Sequence, residues 1–155
     1  MATLKTQGTQ LWMVTAATTS VEIGNITNFN PPSPAADEIE ATNLSSTAKE
    51  FVQGLIDYGE GSFEINLDPT STAHQGILTA LAAGTTREFL IGLSDATTAV
   101  PTVATSSFGT PPTTRSWVKF NGFIKGFTMQ GGTNDLVKAT LTVRNTGSPT
   151  YTWKA

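Results

Sequence analysis

Residues 61–84, GSFEINLDPTSTAHQGILTALAAG, carry the one strong helical pattern in a chain otherwise written in β-periodicity. In its first part Phe63, Ile65 and Leu67 alternate with Ser62, Glu64 and Asn66, the period-2 pattern of a half-buried strand. Asp68-Pro69 stops that strand, because proline offers no N–H to a ladder and its fixed φ suits a turn or a helix start. His74, Ile77, Leu78 and Leu81 then fall at i, i+3, i+4 and i+7, one stripe of a 3.6-residue period. Ser71 or Thr72 can cap the N-terminus, and Gly84 stands where a left-handed C-terminal cap belongs. The pattern predicts a helix over about residues 71–83. A lone amphipathic helix in a β-patterned chain has to cover a sheet.

The other segments supply that sheet. Residues 10–14, 21–26 and 87–93 read as short strands, and 37–42 as a short acidic one. Residues 117–129 form a long aromatic strand whose phase shifts near Gly122 and Gly126, where glycines predict a bulge or bend that lets one strand serve two sheets. Residues 136–144 alternate most cleanly, with Val137, Ala139, Leu141 and Val143 inward and Lys138, Thr140, Thr142 and Arg144 outward. About seven strands and one helix predict a mainly β fold: two packed antiparallel sheets, a sandwich or partly closed barrel, flanked by the helix. Pro31, Pro32 and Pro34 follow the second strand, and residues 28–58 as a whole show no clear period, so a long loop is expected there. Within it Ser46 or Thr47 precedes Glu50 at about capping-box distance, which suggests a helical turn. Leu44, Phe51, Leu55 and Ile56 are apolar enough to order that loop against a partner. Residues 97–114, rich in Thr, Ser, Ala and Pro, read as a flexible excursion.

The length of 155 residues suits a single domain, 1–155, with a flexible arm at 1–9 and a tail at 145–155. In that tail Trp153 is either loose or docked on a neighbour. Chemistry is hard to find in this composition. There is no cysteine and one histidine, so cysteine-ligated metal, thiolate catalysis and most histidine sites are excluded. His74 lies on the apolar stripe in the first helical turn and reads as a packed residue with one or two hydrogen bonds. Asp37, Glu38, Glu40 and Asp68 have neither calcium-loop spacing nor an obvious partner, and Gly131-Gly132 is not followed by the Lys-Ser/Thr of a phosphate loop. No catalytic, cofactor or metal residue is expected. A net charge of −3 provides no positive field for nucleic acid, and no apolar run approaches the roughly 18 residues of a membrane span. The first residues lack the apolar core of a signal peptide, which predicts synthesis in the cytoplasm. Charged residues make up only 14%, which fits a surface spent on contacts between subunits.

The order of motifs resembles one family. Residues 37–59, DEIEATNLSSTAKEFVQGLIDYG, resemble the loop of the tail tube (major tail) proteins of long-tailed bacteriophages. Asn66-Leu67-Asp68-Pro69 with His74-Gln75 and Leu78 is similar to that family's strand–helix junction. Phe120-Asn121-Gly122-Phe123-Ile124 followed by KATLTVR at 138–144 is similar to its later strands. The likeness spans about residues 21–144. It implies a structural virion protein, not an enzyme, whose copies assemble into hexameric rings with a shared inner β-barrel. The rings would stack into a tube through which DNA passes without specific binding. It further implies that the loop engages the adjacent ring, through Asp37, Glu38, Ile39, Leu44, Lys49, Glu50, Phe51 and Leu55, with help from the terminal arms. Tape measure, terminator and tail-tip proteins would be the other partners, and the virion tail the location, with no membrane and no cofactor. Ser62, Glu64 and Asn66 are candidates for the lumen wall; Lys138 and Arg144 occupy an equivalent polar face. Asp68, Pro69, His74, Ile77, Leu78 and Leu81 form the structural junction and helix. The segment 97–114 departs from the family pattern, and the chain carries no additional immunoglobulin-like domain, which implies a smooth tube.

A second reading is a β-sandwich binding module for carbohydrate or a cell surface. It would use Trp12, Trp117 and Trp153 as exposed stacking platforms.

Overall fold

The computed structural model describes residues 3–96 and 98–155; Met1 and Ala2 of the expected arm, and Thr97 of the expected excursion, lie outside them. Ten strands and one helix follow in the order β1 (Gln10–Ala16), β2 (Thr19–Ile23), β3 (Ile26–Asn30), β4 (Ala35–Glu40), β5 (Phe51–Asp57), β6 (Glu60–Asn66), α1 (Thr72–Ala83), β7 (Arg87–Gly92), β8 (Trp117–Gln130), β9 (Lys138–Asn145) and β10 (Thr150–Thr152). Eight strands form one antiparallel sheet in the order β2-β1-β7-β8-β9-β6-β3, with β10 added beside β8; β4 and β5 form a second sheet of two strands. The fold is mainly β with antiparallel sheets and one helix, as expected. Among the described residues the large sheet does not close into a barrel, since β2 and β3 are its two ends.

The sandwich is produced by bending, not by stacking two separate sheets. β8 pairs with β7 from Trp117 to Gly122 and with β9 from Gly122 to Gln130. Gly122 belongs to both ladders, and a register shift between Ile124 and Gly126 switches the inward parity from Val118, Phe120 and Ile124 to Phe127. The phase break in the sequence is therefore the corner of the fold, and it brings the β1–β7 half over the β9–β6 half. Leu11, Met13, Phe89 and Ile91 come from one side, Phe63, Ile65, Leu141 and Val143 from the other, and Ile77 of α1 joins them in one core. Phe120 links the halves, its ring 5.4 Å from that of Phe89 and 6.5 Å from that of Phe63. Full burial of each such side chain contributes roughly 1.5–3 kcal/mol, an upper bound.

The β1–β7 half is apolar on both faces, which the alternation of its strands does not announce. Trp12, Val14, Leu90 and Trp117 point away from the main core and make a second cluster with Phe108. The cover is the segment expected to be a flexible excursion. Phe108 and Pro111 are buried, the Phe108 N–H donates to Glu88 at 2.6 Å, and Trp117 Nε1–H donates to the Pro112 carbonyl at 2.7 Å. The segment is ordered because two tryptophans and a leucine on an outer sheet face must be covered, and the indole N–H needs an acceptor. The tail, expected to be loose or docked on a neighbour, is ordered on its own chain. β10 pairs with Trp117–Lys119, the Lys154 N–H donates to Ser116, and the Ala155 N–H donates to the Thr113 carbonyl.

Arg115 was not singled out by its position in the sequence, yet it is fully buried. Its guanidinium donates to the carbonyls of Gly8, Gly92 and Leu93 and to the Gln10 side chain, and it lies 5.5 Å and 5.1 Å from the ring centres of Trp12 and Trp117. Desolvation lowers its pKa, while Asp95 and Glu22 oppose that shift. The arginine ties the chain before β1, the end of β7 and the start of β8 together, and it also holds part of the expected arm.

A Cβ at Gly92 would fall 2.7 Å from Arg115 Cζ and 2.8 Å from Trp117, whereas at Gly76 in the middle of α1 it would meet nothing within 4 Å. Gly92→Ala is expected to destabilise the protein by about 1–3 kcal/mol. Gly76→Ala is expected to stabilise it by about 0.4–1 kcal/mol through the unfolded chain. Urea unfolding of both variants checks the opposite signs.

Candidate assembly surfaces

The expected loop at 28–58 is a projecting β-hairpin. Pro31, Pro32 and Pro34 end β3 by removing donors, and β4 and β5 then pair with each other, Ile39 opposite Val52 and Glu40 opposite Phe51, with a bulge between Ala36 and Glu38. The anticipated helical turn at 45–52 does not form. The tip is instead a turn in which Asn43 Oδ1 accepts from the Ser45 N–H at 2.9 Å and the Asn43 carbonyl from the Ser46 N–H at 3.0 Å. The Glu50 N–H donates to Thr42 Oγ1, and the Ala41 N–H to the Glu50 carbonyl. Short polar side chains near Glu50 satisfy a strand-connecting turn as readily as a helix start.

Among the described residues nothing packs on this hairpin. Every residue of β4 is exposed, and in β5 only Gly54 is partly covered. Ile39, Phe51 and Val52 are each about half exposed, Leu55 is 88% exposed, and Leu44 at the tip is fully exposed. A free two-stranded hairpin is marginally stable in water, and a contiguous apolar surface on one marks a contact site. Asp37, Glu38, Glu40, Glu50 and Asp57 against Lys49 give residues 35–57 a net charge of −4; with −3 for the chain, the remainder carries +1.

The root of the hairpin is fixed. Gly59 has φ +71°, and a Cβ there would lie 2.8 Å from the Ser33 carbonyl oxygen. Its N–H donates to Asp57 Oδ1 at 2.9 Å, and its carbonyl accepts from the Asn145 N–H. Arg144 Nη2 reaches both oxygens of Asp57 at 2.8 Å and Nη1 lies 3.8 Å from Glu60, which in turn takes Lys125 at 2.5 Å. The hydrogen bond from Gly59 and then the Arg144 guanidinium hold the Asp57 carboxyl below its ordinary range; Asp57 in turn raises the pKa of Arg144. Each exposed pair is weak singly. Together they set the direction in which the hairpin leaves the sheet.

Ser62, Glu64 and Asn66 share one polar face of β6, alternating with buried Phe63 and Ile65. In register with them on β9 stand Thr142, Thr140 and Lys138, and Arg144 pairs with Glu60. The two polar faces weighed separately in the sequence are therefore one surface. Its bases already have carboxylate partners: Arg144 with Asp57, Lys125 with Glu60, and Lys138 with Asp135 at 3.5 Å.

At the opposite end of β6, Asp68 Oδ1 accepts from the N–H and hydroxyl of Thr70, and these bonds lower its pKa. His74 is buried; Nδ1 accepts from the Asp68 N–H at 3.0 Å, so Nε2 carries the proton and donates to the Gly24 carbonyl at 3.1 Å. It is a packed histidine that ties α1 to the β2–β3 turn. Ser71 caps the helix and Gly84 closes it with φ 64°. The buried stripe is Ala73, His74, Ile77 and Ala80, with Leu81 partly covered; Leu78, placed on the stripe by periodicity, is 48% exposed. The stripe turns toward β8 and β2, and small residues let the helix sit close to them. The same correction applies to Val137, which is half exposed because β9 starts only at Lys138.

The platforms of the binding-module reading are absent as such. Trp12 and Trp117 are buried, and only Trp153, stacked with Tyr151 at 6.1 Å, is exposed.

Residues 2–155 match the family of phage tail tube, TTP, lambda-like proteins. A curated relative, structural protein 3 of Pseudomonas phage PAJU2, is 32% identical over 151 residues, covering 94% of this chain and 92% of its own. The fold is similar to that of the tail of an empty GTA particle determined with C6 symmetry, with TM-score 0.70 and 12% identity over 97% of this chain and 99% of the other. It is also similar to the SPP1 tail tube, with TM-score 0.68 and 9% identity over 97% and 80%.

The Asp57 contribution is present above the unfolded carboxylate pKa and disappears as pH falls through its lower folded value. A carboxyl-carbon NMR titration is expected to place the Asp57 midpoint below 3.8. Arg144→Gln should raise that midpoint part of the way back and speed amide exchange at Gly59; an unmoved midpoint would show that Arg144 does not hold the hairpin root.

Proposed function

The chain belongs to the lambda-like phage tail tube family, whose members are structural virion components and not enzymes, and from that membership we propose its mode of assembly. Six copies close into a ring, rings stack into the tube of a long-tailed phage, and the β4–β5 hairpin carries the contact between rings. The observation that carries this reading is the hairpin: apolar, acidic, held at its root, and without a packing partner among the described residues of its own chain.

Ring closure answers a second requirement. The ends of the large sheet, β2 and β3, expose unpaired backbone, a standing aggregation hazard. A head-to-tail ring brings one free end of the sheet to the other on the next copy and leaves no edge. Six copies accord with the C6 symmetry of the similar GTA tail. The polar face of Ser62, Glu64 and Asn66 is the proposed lumen wall. Its lysines and arginine are neutralised by nearby carboxylates, so phosphates meet no free positive charge and DNA passes without being held. A terminator, a tail tip and a measuring protein inside the tube are the further proposed partners.

Concentrated protein is expected to form rings or tubes in negative-stain micrographs. Removal of residues 37–53 should leave a folded subunit that no longer polymerises. Amide exchange in β4 and β5 should be fast in the monomer and slow by about tenfold or more after assembly. Protein that stays monomeric at every concentration and salt, or equal exchange in both states, defeats this reading.

A further inference from the structure

Leu4, Val100, Tyr151 and Trp153 are exposed in other segments, but the remaining exposed large apolar side chains fall into two groups. Besides those on the hairpin, Leu78, Met129, Leu136 and Val137 are exposed, each by about half or more. Leu136 and Val137 lead into β9 beside Met129 of β8, and Leu67 connects Val137 to Leu78. Val137 accepts from the Leu67 N–H through its carbonyl, Met129 pairs with Ala139 one turn of the ladder away, and Leu78 lines a shallow depression with Leu67, Pro69 and Gln75 beside His74. This second patch is formed by the β8–β9 turn and the start of α1.

The two patches sit at opposite ends of the same strand. β6 begins at Glu60, directly after the hairpin root, and ends at Asn66, directly before the depression; β9 runs alongside in reverse, from Lys138 opposite Asn66 to Arg144 opposite Glu60. Seven residues of strand separate the patches by about 20 Å, and the hairpin of a copy, held at its root, leaves its own second patch uncovered.

We propose that the patch of Leu67, Pro69, Leu78, Leu136 and Val137 is the acceptor for the β4–β5 hairpin of a second copy stacked along the direction of β6. This rests on the tube reading above and names the surface that the hairpin meets. Two arguments select a second copy in head-to-tail order. A two-fold hairpin-to-hairpin contact brings together two segments of net charge −4 and leaves the second patch in water. A stacked copy instead keeps the acidic hairpins apart and covers both apolar patches with one repeated contact, which propagates as an open assembly. The acceptor is also prepared without ligand: the Asp68–Thr70 turn and the His74 bridge hold the helix start in place.

The chain has no cysteine, so thiols can be placed at will. Leu55→Cys and Leu78→Cys, both at exposed positions, are prepared as separate proteins, with Leu136→Cys as a second acceptor probe. Each is checked by circular dichroism for an unchanged fold. They are assembled singly or mixed, imaged, and treated with a short bifunctional maleimide. Mixed Leu55→Cys and Leu78→Cys, or Leu55→Cys and Leu136→Cys, are expected to give cross-linked dimers about tenfold or more above either protein alone, because assembly raises the effective thiol concentration. Tubes without mixed cross-links, or Leu55→Cys cross-linking to itself, overturn this acceptor and leave the tube reading standing. Neither tubes nor cross-links overturns both.

Discussion

The bend of β8 at Gly122 is the constraint on which the rest of the molecule depends, because one strand there changes partners from β7 to β9 without leaving the sheet. A single sheet thereby becomes its own sandwich. The bulge after Ile124 turns the inward face from even to odd positions, so the strand keeps its apolar side on the core around the corner. The two halves meet through Phe120, Phe89 and Phe63, and α1 closes the core with Ile77 and Ala80. Bending also leaves β2 and β3 as free ends of one continuous sheet, the edges that the proposed ring would pair.

Bending creates a second problem, an outer sheet face bearing Trp12, Leu90 and Trp117. Residues 98–114 and the C-terminal strand solve it from two directions: Phe108 fills the apolar surface, and β10 covers the edge of β8 beside Trp117. Arg115 lies between these layers, and its charge is tolerated because four acceptors and two indole faces surround it. A buried arginine so bonded is costly to disturb and specifies one arrangement of the chain before β1, β7 and β8.

The hairpin departs from all of this. Among the described residues it has no core, its faces are wet, and it is firmly attached at the junction of Gly59, Asp57, Arg144 and Glu60. A rigid body with one oriented, uncovered, acidic and apolar projection is suited to repeated contact with its own kind. In the proposed tube the polar face of β6 and β9, with its charges paired off, would face DNA without holding it. Nothing in these features asks for a catalytic group, in keeping with a family of structural proteins.

Local patterns were enough to determine the strand–turn–helix of residues 61–84, its caps, the break in β8, the β9 ladder and the structural character of His74. Each of these rests on contacts within a few residues or on one buried face that stamps its period on the chain. The order of motifs was also enough to identify the family. Tertiary structure alone decided the remainder. Periodicity needs a face in water and a face in the core, so β5, wet on both sides, showed no period and looked like part of a loop, and β4 was legible only as a short acidic strand at 37–42. The segment before Trp117 looked loose because its order comes from a sheet face distant in sequence. Leu78 and Val137 fell on apolar stripes by spacing, yet the packed surface ends just short of them. The shared polar face of Glu64, Lys138 and Arg144, and the pairing of its charges, depend on strand register, which no single strand encodes.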